Sequence, residues 1–153
     1  MSPRRDVSMT PTEVETFLLD ERTAVLTTLD REGWPHSTAM WFVIEPEGIV
    51  MWTYAKSQKV KNLQRDPRCA VLVEAGASYG SLRGVLVRGR AVVSDDFGAV
   101  REVGLALFRR YNADDGSAPV AGPALEEIER QAGKRVRVTV PFEDVASWDH
   151  SKL

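Results

Sequence analysis

One stretch of this chain concentrates side chains suited to holding an anion: Thr53-Tyr54-Ala55-Lys56-Ser57-Gln58-Lys59-Val60-Lys61-Asn62-Leu63. A run of β-forming residues ends there, a serine stands where a helix would begin, and lysines flank it on both sides. The first amides of a helix have no internal partner, and the aligned peptide dipoles make that end positive. Lysines are disfavoured at such an end, so Lys56 and Lys59 cost stability unless an anion reverses the local sign. Free amides, a hydroxyl and two ammonium groups together predict a phosphate site. The same residues also fit a solvated lysine-rich helix start with Ser57 as a plain cap. Lys61 and Arg65, four apart, read as a solvent face.

Other reactive side chains are few. His36 lies in a strand-like run, where it is either a hydrogen-bonded structural residue or a donor beside a ligand. Two histidines and a single cysteine, without carboxylates suitably spaced around them, argue against a metal site. No nucleophile elbow and no glycine-rich Walker or Rossmann loop is present, which disfavours hydrolysis and nucleotide-loop chemistry. Cys69 stands in the apolar run Cys69-Ala70-Val71-Leu72-Val73 and is expected to be a buried, inert thiol. Of the four tryptophans, Trp52 reads as core, and Trp41 fits either a flat ring or a subunit contact.

The elements that must position these residues follow from periodicity. Thr10-Pro11-Thr12-Glu13 is a capping box that opens a helix ending near Glu21. Strands are predicted over 23–29, 35–45 and 49–54, a helix over 56–66, and a strand over 68–75. A long strand over 82–94 is interrupted by Gly84 and Gly89, where a sheet would bend around a barrel. Helices over 96–111 and 123–131 bracket the longest loop, 112–122, expected to be mobile around Asp114-Asp115-Gly116-Ser117. Strands over 135–140 and 145–148 complete the chain. On the second strand both faces turn apolar after Met40, so one face must fill a barrel and the other must be covered by a subunit, a ligand or a helix. The 153 residues are expected to form one α+β domain (1–153), an antiparallel barrel of six or seven strands with peripheral helices. A net charge of −2 gives no general field for nucleic acid. No apolar run is long enough to span a bilayer, and no secretory signal opens the chain, so a cytoplasmic location is expected.

Gly33-Trp34-Pro35-His36-Ser37-Thr38-Ala39-Met40-Trp41-Phe42, together with the segment from Thr53 to Arg68, resembles the pyridoxamine 5′-phosphate oxidase-like split β-barrel superfamily. Tyr79 with Leu82-Arg83-Gly84-Val85, and Val145-Ala146-Ser147-Trp148-Asp149, extend the likeness over nearly the whole chain. Within the superfamily the chain is most similar to the flavin/deazaflavin oxidoreductase B group, many of whose members are actinobacterial and use coenzyme F-420. The resemblance implies a homodimer with two cofactor clefts at the subunit interface. It implies that His36, Ser37, Thr38, Met40 and Trp41 line the cofactor from the second strand and that Thr53 meets it from the third. Lys56, Ser57, Lys59 and Asn62 would hold the phosphate, and Tyr79 and Trp148 would close the site from the partner. The arginine-rich ending of authentic pyridoxamine phosphate oxidases is missing, which argues against vitamin B6 oxidation.

A flavin or deazaflavin carries its own redox chemistry, so no obvious catalytic acid or base is required. The resemblance implies hydride transfer from coenzyme F-420, or alternatively FMN, to an electron-poor small molecule. The acidic tail of coenzyme F-420 would need a basic path, for which Arg4, Arg5, Lys61, Arg65 and Arg68 are candidates. A non-catalytic protein sequestering a cofactor or tetrapyrrole is a rival of another class. An RNA-binding barrel is a weaker one, because aromatic residues do not alternate with the basic ones.

Overall fold

The computed structural model describes residues 6–112 and 119–153. The stretch expected to be mobile around Asp114 lies outside the described residues, as do Arg4 and Arg5. Helix α1 (Pro11–Asp20) opens on the expected capping box: Glu13 N–H donates to Thr10 Oγ1 at 3.2 Å, and Thr10 N–H donates to Glu13 Oε2 at 2.9 Å. It is followed by β1 (Ala24–Leu29), β2 (Pro35–Met40), β3 (Val43–Glu45) and β4 (Gly48–Tyr54). Gly33, at φ +86°, makes the β1–β2 turn, where Asp30 Oδ1 accepts from the amides of Glu32 and Trp34. Then come α2 (Gln58–Arg65), β5 (Arg68–Ala75), β6 (Arg83–Arg90), β7 (Val92–Ser94), α3 (Phe97–Asn112), α4 (Gly122–Ala132), β8 (Arg135–Pro141) and β9 (Asp144–Asp149). No helix is long and apolar enough to cross a membrane among the described residues.

All pairings are antiparallel, in two sheets ordered β2-β1-β5-β6-β9 and β3-β4-β8-β7. The strand expected over 35–45 is two strands, because it turns a corner at Trp41-Phe42 and its two halves belong to different sheets. The strand expected over 82–94 breaks in the same way at Ala91, whose amide donates to Pro67 O at 2.8 Å. These two corners join the sheets into a six-stranded split barrel, with β9 hanging from the free edge of β6.

Leu26, Val71 and Val87 face one another from strand to strand as an inward row. They meet Ile49, Met51, Val136, Val138 and Val140 from the other sheet in one core. α1 closes one end with Phe17 and Leu18, and α2 closes the other with Val60 and Leu63. Each such large apolar side chain, taken fully from water, stabilises the fold by roughly 1.5–3 kcal/mol.

Candidate functional site

The β3–β4 ladder stops at Val43 opposite Val50. Beyond that point β2 follows β1 away from β4, and Met51–Tyr54 pair with β8 alone. The divergence opens a slot between the free edges of β2 and β4, and α2 begins at its end. His36, Thr38 and Met40 share the inner face of β2, since their cross-strand partners Thr28, Leu26 and Ala24 are all buried. Thr53, 4% exposed, lies on the inner face of β4 with Ile49 and Met51.

Ser57 is the N-cap of α2 in extended conformation, as expected, yet its hydroxyl caps nothing. Among the described residues, three buried side-chain polar atoms lack any hydrogen-bond partner: His36 Nδ1, Thr38 Oγ1 and Ser57 Oγ. Buried polar groups are nearly always paired, because leaving one unsatisfied costs about 1–3 kcal/mol. His36 and Thr38 lie on the inner face of β2, and Ser57 stands where the chain leaves β4 for α2, so the three border the slot. Lys56 is exposed and Lys59 half-buried, and neither has a carboxylate within 4.0 Å among the described residues. Burial, with the charge of Arg135 second, pushes the Lys59 ammonium below the ordinary lysine range. No acidic side chain stands in the first turn of α2. The slot is therefore electropositive, rich in unused donors and apolar on its inner wall, which is what a phosphorylated planar molecule needs.

Several expected ligands lie elsewhere. Asn62 is fully buried: its Nδ2 donates to Thr28 Oγ1 at 3.0 Å, and its Oδ1 accepts from Gln58 Nε2 at 2.8 Å. It braces α2 against β1 through Thr28. Ser37 is on the opposite face of β2 from His36, paired with Thr27 Oγ1 at 2.8 Å, because side chains alternate along a strand. Trp41 sits at the corner, 56% exposed, with one indole face stacked on Tyr111 at 4.3 Å and 9°. Trp148 packs on Gly84, where a Cβ would stand 2.2 Å from Trp148 Cζ2. Tyr79 is 72% exposed against His150, whose Nδ1–H donates to Tyr79 O at 2.9 Å. Both are on the β6–β9 side of the sheet, at the far edge from β2. One protomer does not bring them to the slot. A cavity of about 740 Å3 lies under α1 at the other end of the barrel, lined by Val14, Leu18, Ile44, Phe142 and Val145, and holds none of these residues.

The basic path expected along α2 is also largely engaged. Arg65 donates to Leu29 O, and Arg68 is paired with Asp66. Sequence reasoning missed Arg135, whose guanidinium lies over Tyr54 and Trp52 at 4.1 and 4.7 Å. Its position opposite Tyr54 depends on a β4–β8 pairing that no local pattern announces. Cys69, expected to be buried, is only half-buried; desolvation still pushes its thiol up to about 11, and Sγ donates to Gly89 O at 3.5 Å.

The family model for pyridoxamine 5′-phosphate oxidase matches residues 10–149. The chain belongs to that family. A relative from Mycobacterium tuberculosis (strain CDC 1551 / Oshkosh), a biliverdin reductase dependent on reduced coenzyme F-420, is 34% identical over 97 residues, 62% of this chain and 67% of the relative. The crystal structure of a conserved hypothetical protein from Mycobacterium tuberculosis, Rv2991, superposes with a TM-score of 0.87 at 37% identity, over 99% of this chain and 92% of that one. A solved F-420 reductase shares the fold, with a TM-score of 0.66 at 24% identity over 86% and 94% of the two chains.

Proposed function

We propose that this protein is an oxidoreductase that binds coenzyme F-420 in the slot between β2, β4 and the start of α2, and reduces an electron-poor organic substrate. The observation that carries this reading is the set of orphaned atoms, His36 Nδ1, Thr38 Oγ1 and Ser57 Oγ, gathered on one electropositive slot. Bound there, the deazaflavin would supply the hydride. Ser57, Lys56, Lys59 and the free amides of the first turn of α2 would hold its phosphate. His36 and Thr38 would offer polar partners along β2, while Met40 and the core behind it exclude water from the transfer site. The coenzyme F-420 dependence of the Mycobacterium tuberculosis biliverdin reductase supports this cofactor over FMN.

The functional unit proposed is a homodimer. The outer face of the five-stranded sheet carries the row Ala39, Val25, Leu72, Leu86 and Ala146, one residue from each strand. The helices pack elsewhere: α1 against β3, α2 against β1 and β7, α3 against β3, β4 and β8, and α4 against β8. An apolar row left open across five strands favours a second copy, which would bring a partner's Trp148 and Tyr79 toward the slot.

Anaerobic fluorescence titration tests the cofactor, followed by turnover of the reduced form against enones, quinones, tetrapyrroles and nitroaromatics. Tighter binding of coenzyme F-420 than of FMN, with oxidation by at least one acceptor, is expected. Preferential retention of FMN reverses the cofactor assignment, and binding without turnover on any acceptor makes the protein a sequestering one.

A further inference from the structure

We propose that the cavity under α1 is a second binding site, apart from the slot, for a small apolar molecule that carries an amine. The inference does not depend on the cofactor, because none of the slot residues lines this cavity.

The two sheets part where the cavity lies. Among the described residues β3 pairs with β4 alone and β9 with β6 alone, so no ladder joins β3 to β9. Ile44 and Glu45 of β3 and Val145 and Ser147 of β9 line the space, and α1 roofs it with Val14, Leu18 and Leu19. That roof is fixed at both ends. Before α1, Met9 N–H donates to Ser147 Oγ at 3.0 Å, Asp149 N–H to Val7 O at 2.7 Å, and Lys152 Nζ to Ser8 O at 2.8 Å. After it, Arg110 donates to the carbonyls of Leu18, Leu19 and Glu21. A helix tied at each end cannot settle onto the strands, and about 740 Å3 stays open beneath it. Protein interiors otherwise hold few voids larger than a water molecule, and this volume falls in the range of roughly 300–1,000 Å3 typical of small-molecule sites.

The walls select the occupant. Most of the lining is apolar, and within it Leu19, Phe142 and Val145 remain 55%, 36% and 41% exposed. Large apolar side chains gathered on one opening leave area that an apolar ligand removes from water. The charged side chains of the lining are Glu15 and Glu45, and no lysine, arginine or histidine stands among them. Glu45 is answered by Arg137, which is not part of the lining. Glu15 is exposed at the mouth, with no cation within 4.0 Å among the described residues. An anionic molecule would meet only carboxylates as it entered, whereas an ammonium group meets its complement. A second copy of the chain fits this opening less well. Side chains alternate along a strand, so Val145 and Ser147 are on the face of β9 opposite Ala146, and Ala146 belongs to the row assigned to that copy.

The test is fluorescence titration with N-phenyl-1-naphthylamine, an uncharged apolar probe, followed by its displacement with octylamine or octanoate. Octylamine should displace the probe at a concentration about fivefold lower than octanoate, the scale of one exposed charge pair. Glu15→Gln should bring the two competitors within about twofold of each other without loss of the probe. Val145→Trp should fill the opening and weaken the probe about tenfold or more, with an unchanged circular dichroism spectrum. Leu19→Trp, at a more exposed position, should do the same and decides the matter if Val145→Trp does not fold. Saturating coenzyme F-420 and the variant Leu86→Glu should both leave the probe bound. Probe binding that survives the tryptophan variants overturns the proposal, as does a wild-type protein that binds no probe. Displacement by coenzyme F-420 puts the probe in the slot, and loss with Leu86→Glu puts it between copies; either result also overturns it. Octanoate competing as well as octylamine overturns the choice of an amine. If coenzyme F-420 itself fails to bind, the reading of the slot falls, and the tryptophan variants still decide this one.

Discussion

Lys59 is placed where its charge is unwelcome in the empty protein, at the positive end of a helix, half-buried and near Arg135. Binding and stability therefore pull in opposite directions at this residue. Lys59→Ala is expected to weaken either candidate cofactor by about 1.5–3 kcal/mol, the value of a charge-assisted hydrogen bond; an unchanged titration curve would remove Lys59 from the site. Without ligand the same variant should be at least as stable as wild type. The sign follows from linkage: a folded-state value below 10.5 means that the folded protein binds fewer protons than the unfolded chain in the alkaline range just under 10.5. Wild-type stability should therefore gain on the variant as pH rises through that range, which urea unfolding at several alkaline pH values will check. Asn62 behaves in the opposite way. Its amide joins Thr28 to α2 with no exposure, so Asn62→Ala should cost about 1–3 kcal/mol in the same unfolding assay. Its effect on ligand affinity, measured where the variant is folded, should stay well below that of Lys59→Ala.

At the scale of elements, the corner between β2 and β3 decides where the slot opens. Arg110 and Tyr111, at the end of α3, hold it. Tyr111 Oη accepts from Phe42 N at 3.1 Å and donates to Arg22 O at 2.7 Å. Arg110 donates to Phe42 O and to the carbonyls of Leu18, Leu19 and Glu21, so one guanidinium joins the corner to the end of α1. Arg110→Leu is expected to destabilise the fold by about 2–4 kcal/mol, since it removes charged donors from several carbonyls at once. A change under 0.5 kcal/mol in denaturant unfolding would show that the corner holds without it. Nothing in the local sequence around Arg110 announces this role, because its partners are 68 to 92 residues away in the chain. The corner itself is only half legible: both faces turn apolar after Met40, yet only pairing with β1 on one side and β4 on the other divides 35–45 into two strands. What was legible is local. The capping box at Thr10, the serine at the start of α2 and the two-faced character after Met40 are each written in a few adjacent residues. A matching family position does not say which face of a strand or helix a side chain takes, and pairing is what turns Ser37 to Thr27 and Asn62 to Thr28.

For the whole molecule the open question is what covers the outer face of the five-stranded sheet. The row Ala39, Val25, Leu72, Leu86 and Ala146 is flanked by small Ser37, Thr27 and Ala70 on β2, β1 and β5, and by the Arg88–Asp144 ion pair on β6 and β9. Leu72 and Leu86 sit at its centre, half-buried on the adjacent strands β5 and β6. A glutamate there would face solvent harmlessly in a monomer but would bury a charge, and meet its own symmetry mate, in a two-fold pair. Leu86→Glu should therefore leave the barrel folded by circular dichroism and halve the mass measured by light scattering. Because Trp148 and Tyr79 lie across the sheet from β2, the same variant should also weaken cofactor binding without touching a slot residue. A wild-type protein that is already monomeric, or a monomeric variant with unaltered affinity, would show that one protomer completes the site and that neither aromatic belongs to it.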